Sequence, residues 1–185
     1  MRHPHDLTTP FLETVWILVG LPVIALIWRR FPLTNLLCRL LALPALVLMV
    51  GGHYTYAQVP LGDWARDTFG LDRNPYDRLG HLVQGFVPAV LVRELPSRTS
   101  PLRGSRRPAP LTVCACLALS AVFEMFERAA ALIGGAAAGD FLATQGDVWD
   151  AQWDWLCALT GATVSLLLLS RFHDRQLAAL RAQSV

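Results

Sequence analysis

Three stretches of this sequence place polar and ionisable side chains at helical spacing within apolar surroundings. The three sets are Asp77, His81 and Gln84; Glu124 and Glu127; and Asp147, Asp150 and Asp154. Within each set the residues are three, four or seven positions apart, which puts them on one face of a helix. Imidazole and carboxylate groups gathered in one place can bind a divalent metal ion such as Zn, Mn or Fe, or can carry protons. The three polar stripes therefore predict one shared polar pocket.

The composition around these stripes is that of a membrane protein. Of the 185 residues 54% are hydrophobic, and 14 acidic and 16 basic side chains give a net charge of +2. The mean hydropathy is +0.40. Such values are typical of apolar membrane helices joined by charged loops. Because the arginines fall between the apolar segments rather than along one face, we expect no nucleic-acid partner.

Five segments approach the roughly 20 apolar residues that a membrane-crossing helix needs. They lie near residues 11–28, 36–57, 76–95, 111–133 and 149–169. The third is the weakest, since it includes His81, Gln84 and Pro88. The sequence therefore predicts an all-α polytopic bundle of about five spans that forms a single membrane domain over residues 1–185.

Arginine placement predicts the orientation of the bundle. Arginines are frequent after the first and third segments and in the C-terminal tail, whereas the connection between the fourth and fifth has only Arg128, at the membrane edge of the fourth segment. Since positive loops stay in the cytoplasm, we expect an outer N-terminus and a cytoplasmic C-terminus. With a rise of about 1.5 Å per residue, the outer half of the membrane then contains the six candidate groups. These are His53, His81, Glu124, Glu127, Asp150 and Asp154.

Some of these residues also have ordinary structural interpretations. Asp147 and Asp150 precede an apolar helix and can cap its N-terminus. Glu124 can form an ion pair with Arg128, four residues later. His53 can be an interfacial histidine, and His81 can be a ligand that the Asp77 carboxylate orients. His173 falls in the tail, where we expect no role for it.

The connection between the second and third segments has two interpretations. In PLGDWARDTFGLDRNPYDR, the apolar residues Leu61, Trp64 and Phe69 are separated from the charged residues at a spacing that permits an interfacial helix. A solvated loop is the alternative. Trp149, Trp153 and Trp155 are expected in an aromatic belt at the membrane boundary.

Several segments resemble one family. YDRLGHLVQGFVPAVLVRE, FEMFERAA, TQGDVWDAQWDWLCALTGA and SRFHDRQL, within about residues 52–176, resemble the YjdF-type bacterial inner-membrane proteins. The resemblance implies an inner-membrane location but no established activity. More distantly, the pattern is similar to that of the VanZ-like proteins associated with glycopeptide resistance. The matching positions are Asp77, His81, Glu124, Asp147 and Asp150.

Three functions are compatible with these features. The first is a metal-dependent enzyme acting on a lipid or lipid-linked envelope substrate at the outer leaflet. Its expected metal ligands are His81, Asp150, Asp147 and His53. Its expected catalytic groups are Glu124, Glu127 and Asp154. Its expected supporting groups are Asp77, Gln84 and Arg128. The second is proton- or cation-coupled transport or lipid binding, and the third is a structural or accessory membrane subunit. Membrane lipids are the expected partners. A second copy of the chain or another membrane protein is an additional candidate partner.

Overall fold

The computed structural model describes residues 18–26, 28–99, 108–134 and 145–183, and in these ranges the regular structure is helical. Helix α1 covers residues 18–26. The others are α2 (Asn35–Leu40), α3 (Ala42–Tyr54), α4 (Pro60–Phe69), α5 (Tyr76–Thr99), α6 (Pro108–Gly134) and α7 (Asp150–Gln183), with a short 3-10 turn at Tyr56–Gln58. This confirms the predicted all-α membrane bundle.

Three of the described stretches are long and apolar enough to cross a membrane. They are Asn35–Tyr54, Ala109–Ala130 and Asp150–Leu180, which correspond to the second, fourth and fifth predicted spans. Residues 11–17 and residue 27 of the first predicted span lie outside the described residues. The third corresponds to α5, which has 24 residues. At about 1.5 Å per residue α5 is long enough to cross, but it is too polar to be recognised by hydropathy.

Helix α5 lies at the centre of the bundle. It packs most extensively against α7, and also against α6 and α3. Its buried residues include Asp77, His81 and Glu94. Polar groups inside a membrane protein normally face the bundle interior. The surrounding helices therefore allow α5 to carry charges that a lipid-exposed helix could not.

Glycines allow α5 and α7 to approach until their backbones touch. A Cβ atom added at Gly85 would lie 1.9 Å from the carbonyl oxygen of Ala158, and one added at Gly161 would lie 2.0 Å from that of Leu82. Ala89 and Ala162 are fully buried nearby in sequence. Small residues at such crossings are the usual way in which membrane helices pack closely. The crossing fixes how α5 and α7 are aligned along their lengths.

A fully paired charge cluster joins three helices at the C-terminal end of α5. We call Thr34, Glu94, Arg98 and His173 the Glu94 cluster. The Glu94 carboxylate accepts hydrogen bonds from Thr34 N at 3.2 Å, Thr34 Oγ1 at 2.9 Å and Arg98 Nη1 at 2.9 Å. His173 Nε2 lies 3.1 Å from Glu94 Oε2. Each carboxylate oxygen therefore has two partners.

The expectation that His173 lies in a tail without a role is wrong. Helix α7 continues without a break to Gln183, so residue 173 is still part of the bundle. Glu94 is 0% exposed and His173 is 1% exposed. The Arg93 guanidinium lies 3.1 Å from His173 Nδ1, which implies that this nitrogen accepts and that Nε2 carries the proton donated to Glu94.

We predict that Gly161→Leu disrupts the bundle. The leucine side chain would meet the α5 backbone, which cannot move aside. The free energy of unfolding should therefore fall by at least the about 1–3 kcal/mol typical of overpacking. Thermal unfolding in detergent measures the effect. Gly20→Leu is the matched control, because a Cβ there meets nothing within 4 Å. Equal stability of the two variants would contradict the close crossing.

We predict that Glu94→Ala destabilises the protein by about 3–5 kcal/mol, the cost of leaving buried charged partners uncompensated. Chemical denaturation in mixed micelles, followed by circular dichroism, measures this loss. The control is Asp174→Ala, which removes a 59% exposed carboxylate paired with Arg93. Exposed ion pairs contribute only about 0–1 kcal/mol, so a Glu94→Ala effect as small as that of the control would refute the network's role.

Candidate functional site

The polar stripes of α5, α6 and α7 meet in one buried group of side chains, which we call the His81 cluster. Its members are Asp77, His81, Glu124, Glu127 and Asp154. Two overlapping sets within it have ligand atoms that all lie within 4.8 Å of one another: Asp77, His81 and Asp154, and His81, Glu124 and Glu127. His81 belongs to both sets and is therefore the centre of the site.

The local structure at the start of α5 positions Asp77 and His81. Asn74 Oδ1 accepts a hydrogen bond from the backbone N–H of Tyr76 at 3.0 Å, so Asn74 caps the first turn. Its Nδ2 donates to Val59 O at 3.0 Å and to Asp63 Oδ1 at 3.1 Å. Its backbone N–H donates to Gln145 Oε1 at 3.0 Å. The loop before α5 is thus tied both to α4 and to the segment before α7.

Two carboxylates face the imidazole of His81. His81 Nε2 lies 3.1 Å from Glu124 Oε1 and 3.9 Å from Asp77 Oδ1. His81 is 3% exposed and Asp154 is 1% exposed. The cluster combines four acidic side chains with one imidazole. This excess of negative charge favours a bound cation, and the mixed nitrogen and oxygen donors suit Zn, Mn or Fe.

Some oxygens in or next to the cluster have no hydrogen-bond partner in the described part of the chain. They are Asp154 Oδ1 and Glu124 Oε1, and both are buried. Glu124 Oε1 is close to His81 Nε2 without being aligned for a hydrogen bond. Buried polar atoms are normally satisfied, and a charged oxygen left without a partner is especially costly. The unpaired oxygens therefore fit a site that binds a cation.

Ser120 is a hydrogen-bond partner of the second ring nitrogen of His81. Ser120 Oγ lies 3.4 Å from His81 Nδ1 and is fully buried. If Ser120 accepts the Nδ1 proton, Nε2 is left with its lone pair facing the carboxylates. A hydrogen bond to the second ring nitrogen is the usual way in which proteins orient a histidine ligand.

Arg73 neutralises the acids around the edge of the cluster. Its buried guanidinium forms an ion pair with Asp150 and lies 3.6 Å from both Asp77 Oδ2 and Asp147 Oδ2. Asp147 also pairs with Arg78 at 2.9 Å. The sequence did not predict a role for Arg73, because it lies in a connection where basic and acidic residues are nearly balanced. Its spacing of four residues from Asp77 was the available signal.

Asp147 and Asp150 therefore differ in their contacts from Asp154, the third residue of their stripe. Asp147 Oδ1 accepts from the backbone N–H of Trp149 at 2.9 Å, which agrees with its capping interpretation. Asp150 faces Arg73. Neither belongs to the two candidate ligand sets, whereas Asp154 does.

The structure does not bring two other candidates into the cluster. His53 is exposed, and its ring makes an edge-to-face contact with Tyr54 at 4.6 Å. Its environment matches the interfacial interpretation. Arg128 is exposed, and within the described residues no ion pair joins it to Glu124. Glu124 therefore stays available to His81.

Comparisons with known proteins agree with the expected family. Residues 1–175 match the family described as "Predicted membrane protein (DUF2238)". The chain is 48% identical over 173 residues to the inner membrane protein YjdF of Escherichia coli strain K12, covering 94% of this chain and 83% of that protein. No solved structure matches. These comparisons do not support the more distant likeness to VanZ-like proteins, which remains a resemblance of a short motif. The family match spans most of the chain, and we conclude that the protein belongs to the DUF2238 family of membrane proteins.

Proposed function

We propose that this chain is a multi-pass inner-membrane enzyme that uses a divalent metal ion to act on a lipid or lipid-linked envelope substrate. The inner-membrane location is carried over from the E. coli relative. The observation that carries the metal is the combination of a histidine-centred carboxylate cluster with buried oxygens that lack partners. Such a group suits a cation better than it suits helix packing, because a purely structural network satisfies its own members.

The geometry favours Asp77, His81 and Asp154 as the metal ligands. Their ligand atoms form one compact set, and Arg73 holds the second oxygen of Asp77. Glu124 and Glu127, on α6, are then the candidates for proton transfer to and from the substrate. A bound divalent ion would activate water or polarise a phosphoryl oxygen. Asp147 and Asp150 act through Arg73 and Arg78 by holding the surrounding charges in place.

The position of the cluster supports a lipid or lipid-linked substrate. His81 lies about one turn beyond Asp77, near the start of α5, and Asp154 lies one turn beyond the start of α7. At about 1.5 Å per residue, both groups lie within one or two turns of the end of the bundle. Chemistry at this depth is close to the headgroup of a lipid whose chains remain in the bilayer.

We predict that His81→Ala and Asp154→Asn each abolish tight binding of one Zn or Mn ion per chain. Metal content is measured on protein purified in detergent and loaded with Zn or Mn. His53→Ala is the matched control, because it removes an exposed histidine outside the cluster and should bind metal like the wild type.

Ser120→Ala should give an intermediate result in the same measurement of metal binding. Loss of a group that orients a histidine ligand typically reduces metal affinity about 10–100-fold, so this variant should bind more weakly than wild type but not lose the ion. Metal content that is the same in wild type, His81→Ala and Asp154→Asn would rule out the metal site and favour a structural role.

We infer that the His81 cluster faces the periplasm and that the Glu94 cluster faces the cytoplasm. The support is the excess of arginine after the third span and in the C-terminal tail. A fluorescent protein that folds only in the cytoplasm should fluoresce when fused to the C-terminus. Alkaline phosphatase fused there should be inactive. Active alkaline phosphatase at the C-terminus would reverse the orientation and place the site at the inner leaflet.

A further inference from the structure

Helix α4 separates apolar from charged side chains. Leu61, Trp64 and Phe69 occupy one side, at the spacing expected of an apolar helical face. They are 56%, 60% and 69% exposed. The opposite side carries Asp63, Arg66 and Asp67. Arg66 offsets part of the negative charge of the two carboxylates, since its guanidinium lies 2.9 Å from Asp63 Oδ1 and 3.0 Å from Asp67 Oδ1.

The exposed face of α4 lies at the level where the bundle ends. The chain leaves α3 at Tyr54, passes through one 3-10 turn into α4, and enters α5 at Tyr76. Exposed aromatic residues, Tyr54 and Trp149, mark the end of α3 and the start of α7. Aromatic residues collect at this depth because their rings are apolar and their edges are polar. With 10 residues, α4 is about 15 Å long and too short to cross the bilayer.

Helix α4 contacts the rest of the protein through the Asn74 side chain. A Cβ atom at Gly62 would lie 1.7 Å from Asn74 Oδ1, so the helix packs directly on the Asn74 side chain. Asn74 also bonds Val59 O and Asp63 Oδ1, and it is fully buried. The apolar face therefore belongs to a fixed helix and is not formed by a loop that collapses onto the bundle.

We propose that α4 is a membrane-surface helix that binds the phospholipid leaflet at this end of the bundle. Leu61, Trp64 and Phe69 lie among the upper acyl chains. Arg66 and Asp67 face the headgroups and water, and Asp63 joins Arg66 to the Asn74 side chain. This is the arrangement of an interfacial amphipathic helix. Lipid fits the face better than a protein partner does, because α4 follows α3 directly at the end of the bundle where exposed Tyr54 and Trp149 mark the membrane boundary.

The position of α4 also determines where the leaflet lies relative to the His81 cluster. Asn74 contacts α4 and directly follows Arg73, whose guanidinium binds Asp77 and Asp150. A leaflet held by α4 is therefore at a fixed height above His81. The proposal does not depend on the metal, since the lipid contact stands whether or not the cluster binds an ion.

Fluorescence quenching of Trp64 in reconstituted liposomes tests the proposal. Wild type and Trp64→Phe are each reconstituted into phosphatidylcholine and phosphatidylglycerol vesicles, and the difference between their emissions isolates Trp64 from the other tryptophans. Phenylalanine keeps an aromatic ring against Phe69, so the variant should fold. We expect the Trp64 emission to be quenched by lipids brominated near the headgroup end of the chain, and to be protected from aqueous iodide.

Two outcomes would overturn the proposal. Quenching by iodide but not by brominated lipid would mean that α4 is a solvated helix. Protection from both quenchers would mean that a second copy or another protein covers the face. Because the measurement needs no metal and no catalysis, its failure is distinguishable from failure of the metal-dependent function.

Discussion

The contact between the backbones of α5 and α7 is the constraint on which the other features depend. Gly85 and Gly161 let the helices touch, and no side chain larger than hydrogen fits at either position. Once this crossing is fixed, residues of α5 contact residues of α7 on both sides of it. Asp77 and His81 meet Asp154 toward one end, and Glu94 meets His173 toward the other. One packing contact thus organises two buried charge clusters.

The two clusters differ in how completely they are paired, and that difference separates structure from function. Glu94 has two partners on each oxygen, so its burial is compensated by the protein itself. Asp154 is equally buried, but one of its oxygens has no hydrogen-bond partner among the described residues. Leaving such an oxygen unpaired costs free energy. The same fold supplies hydrogen-bond partners for both oxygens of Glu94. The unpaired oxygen of Asp154 therefore favours a ligand in the His81 cluster.

The sequence predicted the helical fold, the shared polar end and most of the cluster, because helical spacing determines which residues share a face. Spacing does not determine the position of one helix relative to another along their axes. The contact between Glu94 and His173 was therefore not predicted. Hydropathy did not show which way His53 points, since α3 is apolar around its circumference and carries no directional signal. Arg73 was missed because its ion-pair partner Asp150, at the start of α7, lies 77 residues later in the sequence, and spacing alone does not show that contact.

The charges around His81 explain why a polar α5 is placed at the centre. Arg73 and Arg78 are close to Asp77, Asp147 and Asp150, and they offset most of that negative charge. Asp154 and Glu124 lie deeper, and among the described residues no arginine forms an ion pair with either of them. Electrostatic attraction for a cation therefore increases from the edge toward His81. Since bulk lipid cannot supply that cation or hydrate the carboxylates, α5 requires helices on several sides, and the surrounding α3, α6 and α7 meet that requirement.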